Sequence, residues 1–234
     1  MRFRDQSKLK AITFSYDDGT TQDIQLIELL NKYGLKATFN LNSGLMGRYD
    51  ILNLNGKKVS HYKIAEKDVK RVYEGHEVAV HTVNHAMLPQ CDDETVIYQV
   101  EQDRLALSDI VGYEVVGMAY SCGGENNDDR VAKIIRENTG VKYARGFRNT
   151  DSFAPQDNLF RFLPNAHHLD VNRVMTLAKR FFETETDTHQ VFYIWGHAFE
   201  LDIASENWVK LEELFKFLAN RDDVFYGTNT ECLL

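Results

Sequence analysis

Cysteine is scarce in this sequence: 234 residues hold three, Cys91, Cys122 and Cys232. An odd number at wide spacing fits neither a disulfide framework nor a Cys-rich zinc site, and a reducing compartment is the simplest reading. Concentrated basic patches are lacking too. The formal net charge is −8 and the sequence pI is near 5.5, which argues against a phosphate-binding surface and excludes nucleic acid as an expected partner. The stretch MRFRDQSKLKAITF carries basic residues with no continuous apolar segment behind them, so neither a secretory signal nor a membrane span is expected. Taken as a natural start, it predicts a cytoplasmic protein with no membrane partner. Linkers and low-complexity tracts are absent as well.

The chain is 43% hydrophobic and 26% charged, enough to bury a large core within one domain. Apolar runs of strand length alternate with segments of helical periodicity from end to end, the pattern of parallel strands with crossover helices. The expected strands are KAITFSY, LKATFNLN, HEVAVHT, YEVVGMAYS, VKYARGF, HQVFYIWGH and VFYGTN, with FRFLPNAHH a weaker one because Pro164 sits inside it. Helices are expected after the first strand, ending at Gly34, and near 65–74, 92–110, 128–138, 170–184 and 205–219. Residues 46–60 read as a polar excursion. Periodicity leaves a (β/α) barrel and a doubly wound sheet both open, and in both the binding groups gather at the carboxyl ends of strands. The expected fold is α/β, a distorted (β/α) barrel of seven or eight units forming a single domain over residues 1–234.

Polar residues do stand at those strand ends: Asp17 and Asp18, then His81 and His85, then Tyr120, Arg145 and His197. They should open onto one face. The DDG tripeptide has a plain reading as a turn or helix cap, and the HTVNH pair could be structural. Four residues apart on a compact turn, however, His81 and His85 can aim at one point, as a tetrahedral metal needs. Two neutral imidazoles and one carboxylate make a three-ligand set with a position left for water, and a second carboxylate beside it can take the proton as water attacks.

His197 is polar where its apolar run predicts a hydrophobe; it is either a buried histidine bonded to backbone or a general acid for the leaving group. His76 reads as structural. His168, or its neighbour His167, ends the weak strand and could touch substrate. Cys122 is expected to pack, and the CGG turn lets backbone approach a ligand closely. Phe147, Trp195 and Phe199 are aromatics near the strand ends.

These residues resemble the metal-dependent polysaccharide deacetylases, carbohydrate esterase family four, along nearly the whole chain. TFSYDDG is similar to the family's T-F-D-D-G motif with two residues inserted after Phe14, which implies Asp17 as catalytic base and Asp18 as metal ligand. HTVNH matches H-[ST]-x-x-H and implies His81 and His85 as the other ligands. Where the family has R-x-P-Y this chain reads GMAY. Tyr120 is therefore expected to lend its backbone N–H to the oxyanion, while Arg145, with Arg148 second, is expected to replace the missing guanidinium beside Asp17. D-x-x-D-W is not recognisable in NTDSFAP, and WGH stands for the closing L-x-H, implying His197 as acid. The resemblance implies hydrolytic removal of an N-acetyl group from an amino sugar or oligosaccharide, with Zn²⁺ first among Zn²⁺, Co²⁺, Mn²⁺ and Ni²⁺. Tyr120, Trp195 and His168 are the expected substrate contacts. The family also holds hydrolases of small cyclic amides such as allantoin, so a small amide or ureide is the alternative substrate, and an inactive carbohydrate-binding protein the non-enzymatic one.

Overall fold

Eight consecutive buried residues, Lys10–Asp17, form the strand β1 around which the rest is arranged. The computed structural model describes Phe3, Asp5 and residues 7–234. After β1 come α1 (Asp23–Lys32), β2 (Ala37–Leu41), the hairpin strands β3 (Tyr49–Leu54) and β4 (Lys57–Tyr62), α2 (Glu66–Val72), β5 (Glu77–Val80) and α3 (Asp93–Val111). The second half holds β6 (Gly117–Ala119), α4 (Asp129–Asn138), β7 (Tyr143–Arg145), β8 (Ala166–His167), α5 (Val171–Glu183), β9 (Gln190–His197), α6 (Ser205–Leu218), β10 (Val224–Tyr226) and α7 (Asn229–Leu233).

Among the described residues eight strands form one parallel sheet, seven of them in the order β7-β6-β5-β2-β1-β9-β8 and β10 pairing with β1 off that path. β10 lies along the first half of β1, pairing Lys10–Ile12, and β2 along the second half, pairing Phe14–Asp17. β1, β2 and β5 are buried at every position, as parallel strands covered on both faces, by helices outside and by packed side chains inside the curl, must be. The sheet curls. Phe162 exchanges hydrogen bonds with β7 (its N–H to Ala144 O, 3.0 Å; Gly146 N–H to its O, 2.9 Å), and Asn165 N–H reaches Tyr193 O of β9 at 2.8 Å. The segment 162–168 thus joins the two edges, with Pro164 at the point where it passes from one to the other. The missing N–H of proline shortens this strand to two residues. The outcome is the curled, distorted (β/α) barrel expected, in a single domain.

Two elements differ from expectation. Residues 49–62 are an antiparallel hairpin rather than an irregular excursion. Asn55 (φ 52°) and Gly56 (φ 82°) both take positive φ, the type I′ turn whose twist matches the strands it joins. The terminal VFYGTN stretch is a strand only to Tyr226, and Thr228 then caps α7 by accepting from Glu231 N–H. Among the described residues no helix is long and apolar enough to cross a membrane.

Candidate active site

The parallel register brings the strand ends level. Asp17 stands opposite His197 on β9 and Asn40 on β2, and Arg145 of β7 stands opposite Ala119 of β6. Among the described residues six non-glycine residues have positive φ, and four of them, Asp18 (83°), Thr82 (65°), His85 (62°) and Cys122 (67°), sit in the loops just past these ends. Such conformations cost about 1–3 kcal/mol each and persist where surrounding contacts enforce them, often at functional sites.

Those contacts are specific. Asn42 Nδ2 donates to the carbonyls of His81 and, at 2.9 Å, Thr82. Asp103 of α3 accepts the N–H of His81 at 3.0 Å and of Ser43 at 2.7 Å. Burial raises the Asp103 carboxyl to about 7 against these hydrogen bonds.

Three donors converge there. Nε2 of His85 is 3.7 Å and Nε2 of His81 is 4.0 Å from Asp18 Oδ1, and all three ligand atoms lie within 4.8 Å of one another. His81 Nδ1 is 2.9 Å from the Ala119 carbonyl. That contact makes Nδ1 the protonated nitrogen and leaves the Nε2 lone pair aimed at the cluster. Burial lowers His81 to about 4 and lowers His85 as well, so both imidazoles are neutral. Two neutral imidazoles and a carboxylate with lone pairs converging are a donor set that fits a divalent cation.

Asp18 is held from a side the sequence reading missed. Its Oδ2 is 3.2 Å from His61 Nε2, and its Oδ1 accepts from Lys63 Nζ at 3.0 Å. Burial opposes ionisation, yet the His61 bond and the Lys63 charge hold the Asp18 carboxyl well below the usual range. The NG dipeptide in DILNLNGKKVSHY is a strong hairpin signal, and it would have placed both residues beside a strand end.

Asp17 is buried, accepting from Asn40 Nδ2 at 2.8 Å and from Arg145 Nη2, both on Oδ1. Its Oδ2 is 3.9 Å from His197 Nε2. The guanidinium of Arg145 also lies 4.9 Å from the Trp195 ring centre. His197 Nδ1 faces Glu200 Oε2 at 3.2 Å, and that oxygen also lies 3.0 Å from His167 Nε2 and 3.3 Å from His168 Nε2. Burial would lower His197, but Glu200, with Asp17 and Asp18, outweighs it and raises His197 to about 9.

Two expected contacts are corrected. Tyr120 is buried, its hydroxyl donates to Phe160 O at 2.7 Å, and its N–H donates to Arg145 O at 2.9 Å. Neither group is free for a substrate or an oxyanion, because the β6–β7 ladder extends one residue further than the motif spacing implies. His168 is 1% exposed, packed on His167 and edge-on to Tyr16; its N–H donates to Trp195 O at 2.7 Å, and side chains alternate along a strand, so it points inward from its neighbour. Trp195 is partly exposed, 4.7 Å from His167 and 6.2 Å from Phe147 between ring centres. Arg148 is exposed and lies 3.9 Å from Glu125, leaving Arg145 as the guanidinium at Asp17.

A family model described as polysaccharide deacetylase matches residues 4–144, well over half of the chain. The chain belongs to the polysaccharide deacetylase family. Solved structures with the same fold include a mutant CE4 family pseudoenzyme with restored enzymatic activity (17% identity, TM-score 0.60, covering 96% of this chain and 68% of that one); its wild-type counterpart is from Bacillus anthracis. Peptidoglycan deacetylase PdaC from Bacillus subtilis aligns at 17% identity and TM-score 0.56 over 96% and 90% of the two chains. The Xyl-CE4 domain of a multidomain xylanase from the hindgut metagenome of Trinervitermes trinervoides aligns at 18% identity and TM-score 0.56 over 96% and 89%. The chain spans 55% of a Streptococcus pyogenes deacetylase. No curated protein matches.

Proposed function

We propose that this polysaccharide deacetylase homologue is a metal-dependent N-deacetylase of amino-sugar oligomers. The observation that carries the reading is the convergence of Asp18, His81 and His85 beside a second buried carboxylate, Asp17, that faces His197 at 3.9 Å. Asp18, His81 and His85 would hold a divalent cation, Zn²⁺ first and Co²⁺, Mn²⁺ or Ni²⁺ also suited, which when bound supplies a Lewis acid for the acetyl carbonyl and for water.

Asp17 accepts a proton as water attacks the carbonyl carbon, with Arg145 and Asn40 fixing its Oδ1 so that Oδ2 faces the reaction. His197 donates a proton to nitrogen as the C–N bond breaks, and acetate and a free amine leave. With the N–H of Tyr120 engaged, the next two, of Ser121 and Cys122, replace it as oxyanion donors; neither donates to an acceptor among the described residues. A cavity of about 600 Å³ lies past the end of β7, lined by residues of 124–128 and 146–148 and by Gln156, Asn158, Arg161 and Leu163; its Phe147 is 6.2 Å from Trp195 between ring centres.

The test is an acetate-release screen on chitooligosaccharides and peptidoglycan fragments, with metal analysis of the purified protein. Acetate release that a chelator stops and Zn²⁺ restores supports the reading. Asp17→Asn should keep its metal while the rate falls about 10²- to 10⁴-fold, the usual size of a general-base contribution. Turnover of a ureide with no acetate from any oligomer would point to the small-amide alternative. Sugar binding without turnover would point to a carbohydrate-binding protein.

A further inference from the structure

The end of the hairpin puts an ammonium into the metal centre. Lys63 follows β4, pairs across an isolated bridge with Thr20, and is 8% exposed. Its Nζ donates to Asp18 O at 2.6 Å, to Asp18 Oδ1 at 3.0 Å and to Asn42 Oδ1 at 3.3 Å. Three protons meet three acceptors, so the ammonium is fully engaged without water. The oxygen it takes, Oδ1, is also the Asp18 oxygen that His85 and His81 approach at 3.7 and 4.0 Å.

The charge balance is then unusual for a cation site. Asp17 is paired with Arg145, and Asp18 with Lys63, every one of the four side chains being less than a tenth exposed. Two negative charges are cancelled by two positive ones before any ion arrives. A metal–oxygen bond is about 2.0–2.2 Å. Any ion on Oδ1 is therefore no more than about 5 Å from Nζ, where repulsion between a single and a double positive charge is strong in a buried site.

We infer that Lys63 is a positioning residue with a cost built in: it holds Asp18 in its left-handed conformation and competes with the divalent cation for Oδ1. The inference rests on the metal reading proposed above. Its consequence is a centre preorganised without metal but of moderated affinity, so that occupancy follows the free ion concentration. A purely structural prop would behave in the opposite way on removal, because Asp18 would lose its orientation and bind metal less well.

The experiment is Zn²⁺ competition against a chromophoric chelator, with Co²⁺ absorption as a second readout, on the wild type and on Lys63→Met, Lys63→Gln and Lys63→Arg, each confirmed as folded by circular dichroism. The expected result is a Kd for Zn²⁺ tightened about tenfold or more in Lys63→Met and Lys63→Gln, the size that removing a neighbouring buried charge produces. Lys63→Arg, which keeps the charge, should stay near the wild-type value. Unchanged or weaker binding in both neutral variants, with zinc still bound by the wild type, overturns the inference and leaves the metal reading intact. Failure of the wild type itself to bind Zn²⁺ or Co²⁺ overturns both.

Discussion

Arg145 Nη2 hydrogen-bonds to Asp17 Oδ1, tying the end of β7 to the end of β1 from across the curled sheet, with side chains only 1% and 3% exposed. A buried pair of this kind contributes little over a hydrophobic alternative while intact, but removing one partner leaves the other charge without compensation. The same geometry fixes which oxygen of Asp17 is left to face His197.

Arg145→Met is therefore expected to lower stability by about 3–5 kcal/mol, the usual cost of orphaning a buried charge, and to lower kcat/KM for deacetylation. Urea unfolding together with acetate release checks both. Arg145→Met with a wild-type midpoint and wild-type turnover would show that neither Asp17 nor the fold depends on this guanidinium.

Much of this architecture is legible in the sequence because buried parallel strands write themselves as apolar runs, and each polar interruption at a run's end marks the face of the candidate site. Asp17, His81 and His197 are found that way. Lys63 and His61 are not, since on a two-stranded hairpin with half its residues exposed the apolar pattern is weak, and only the Asn55–Gly56 turn signals it. Tyr120 shows a different limit. Periodicity locates a strand but not where its ladder stops, and one further backbone hydrogen bond removes a donor from use. Glu200 was passed over because its partners, His167, His168 and His197, are distant from it in the chain except for the last.

Gly196 of β9 leaves no room for a side chain. A Cβ added there would lie 2.1 Å from His168 Cδ2 and 2.5 Å from its Nε2. His168 cannot retreat easily, being wedged against Tyr16 at 5.4 Å between ring centres. Gly196→Ala is expected to cost about 1–3 kcal/mol, as overpacking of a filled core does. It should also disturb the Glu200 cluster, which a lowered thermal midpoint and a shifted His197 proton resonance would report. A variant as stable as the wild type would mean that the strand moves to make room.

Glu200 gives the last expectation, which concerns pH. In the metal-free protein burial alone would lower His197, and the hydrogen bond and charge of Glu200, followed by Asp17 and Asp18, raise it to about 9 against an ordinary 6.5. A folded-state value above the unfolded one means that the native protein binds this proton more tightly. The stabilisation is fully present below about pH 6.5 and is lost as pH rises through about 9. Glu200 itself is depressed: burial opposes its ionisation, but the hydrogen bonds from His167, His168 and His197 prevail. Its contribution is present above its ordinary 4.5 and fades as pH falls. Glu200→Gln removes the main upward push on His197 and should flatten the decline in unfolding free energy between pH 6.5 and 9. In the active enzyme it should also move the alkaline limb of kcat/KM to lower pH, because His197 is then deprotonated earlier as pH rises. Denaturant titrations at pH 6 and 9.5, read beside the rate profile, separate this from simple loss of packing, which would lower stability equally at both pH values and leave the limb in place.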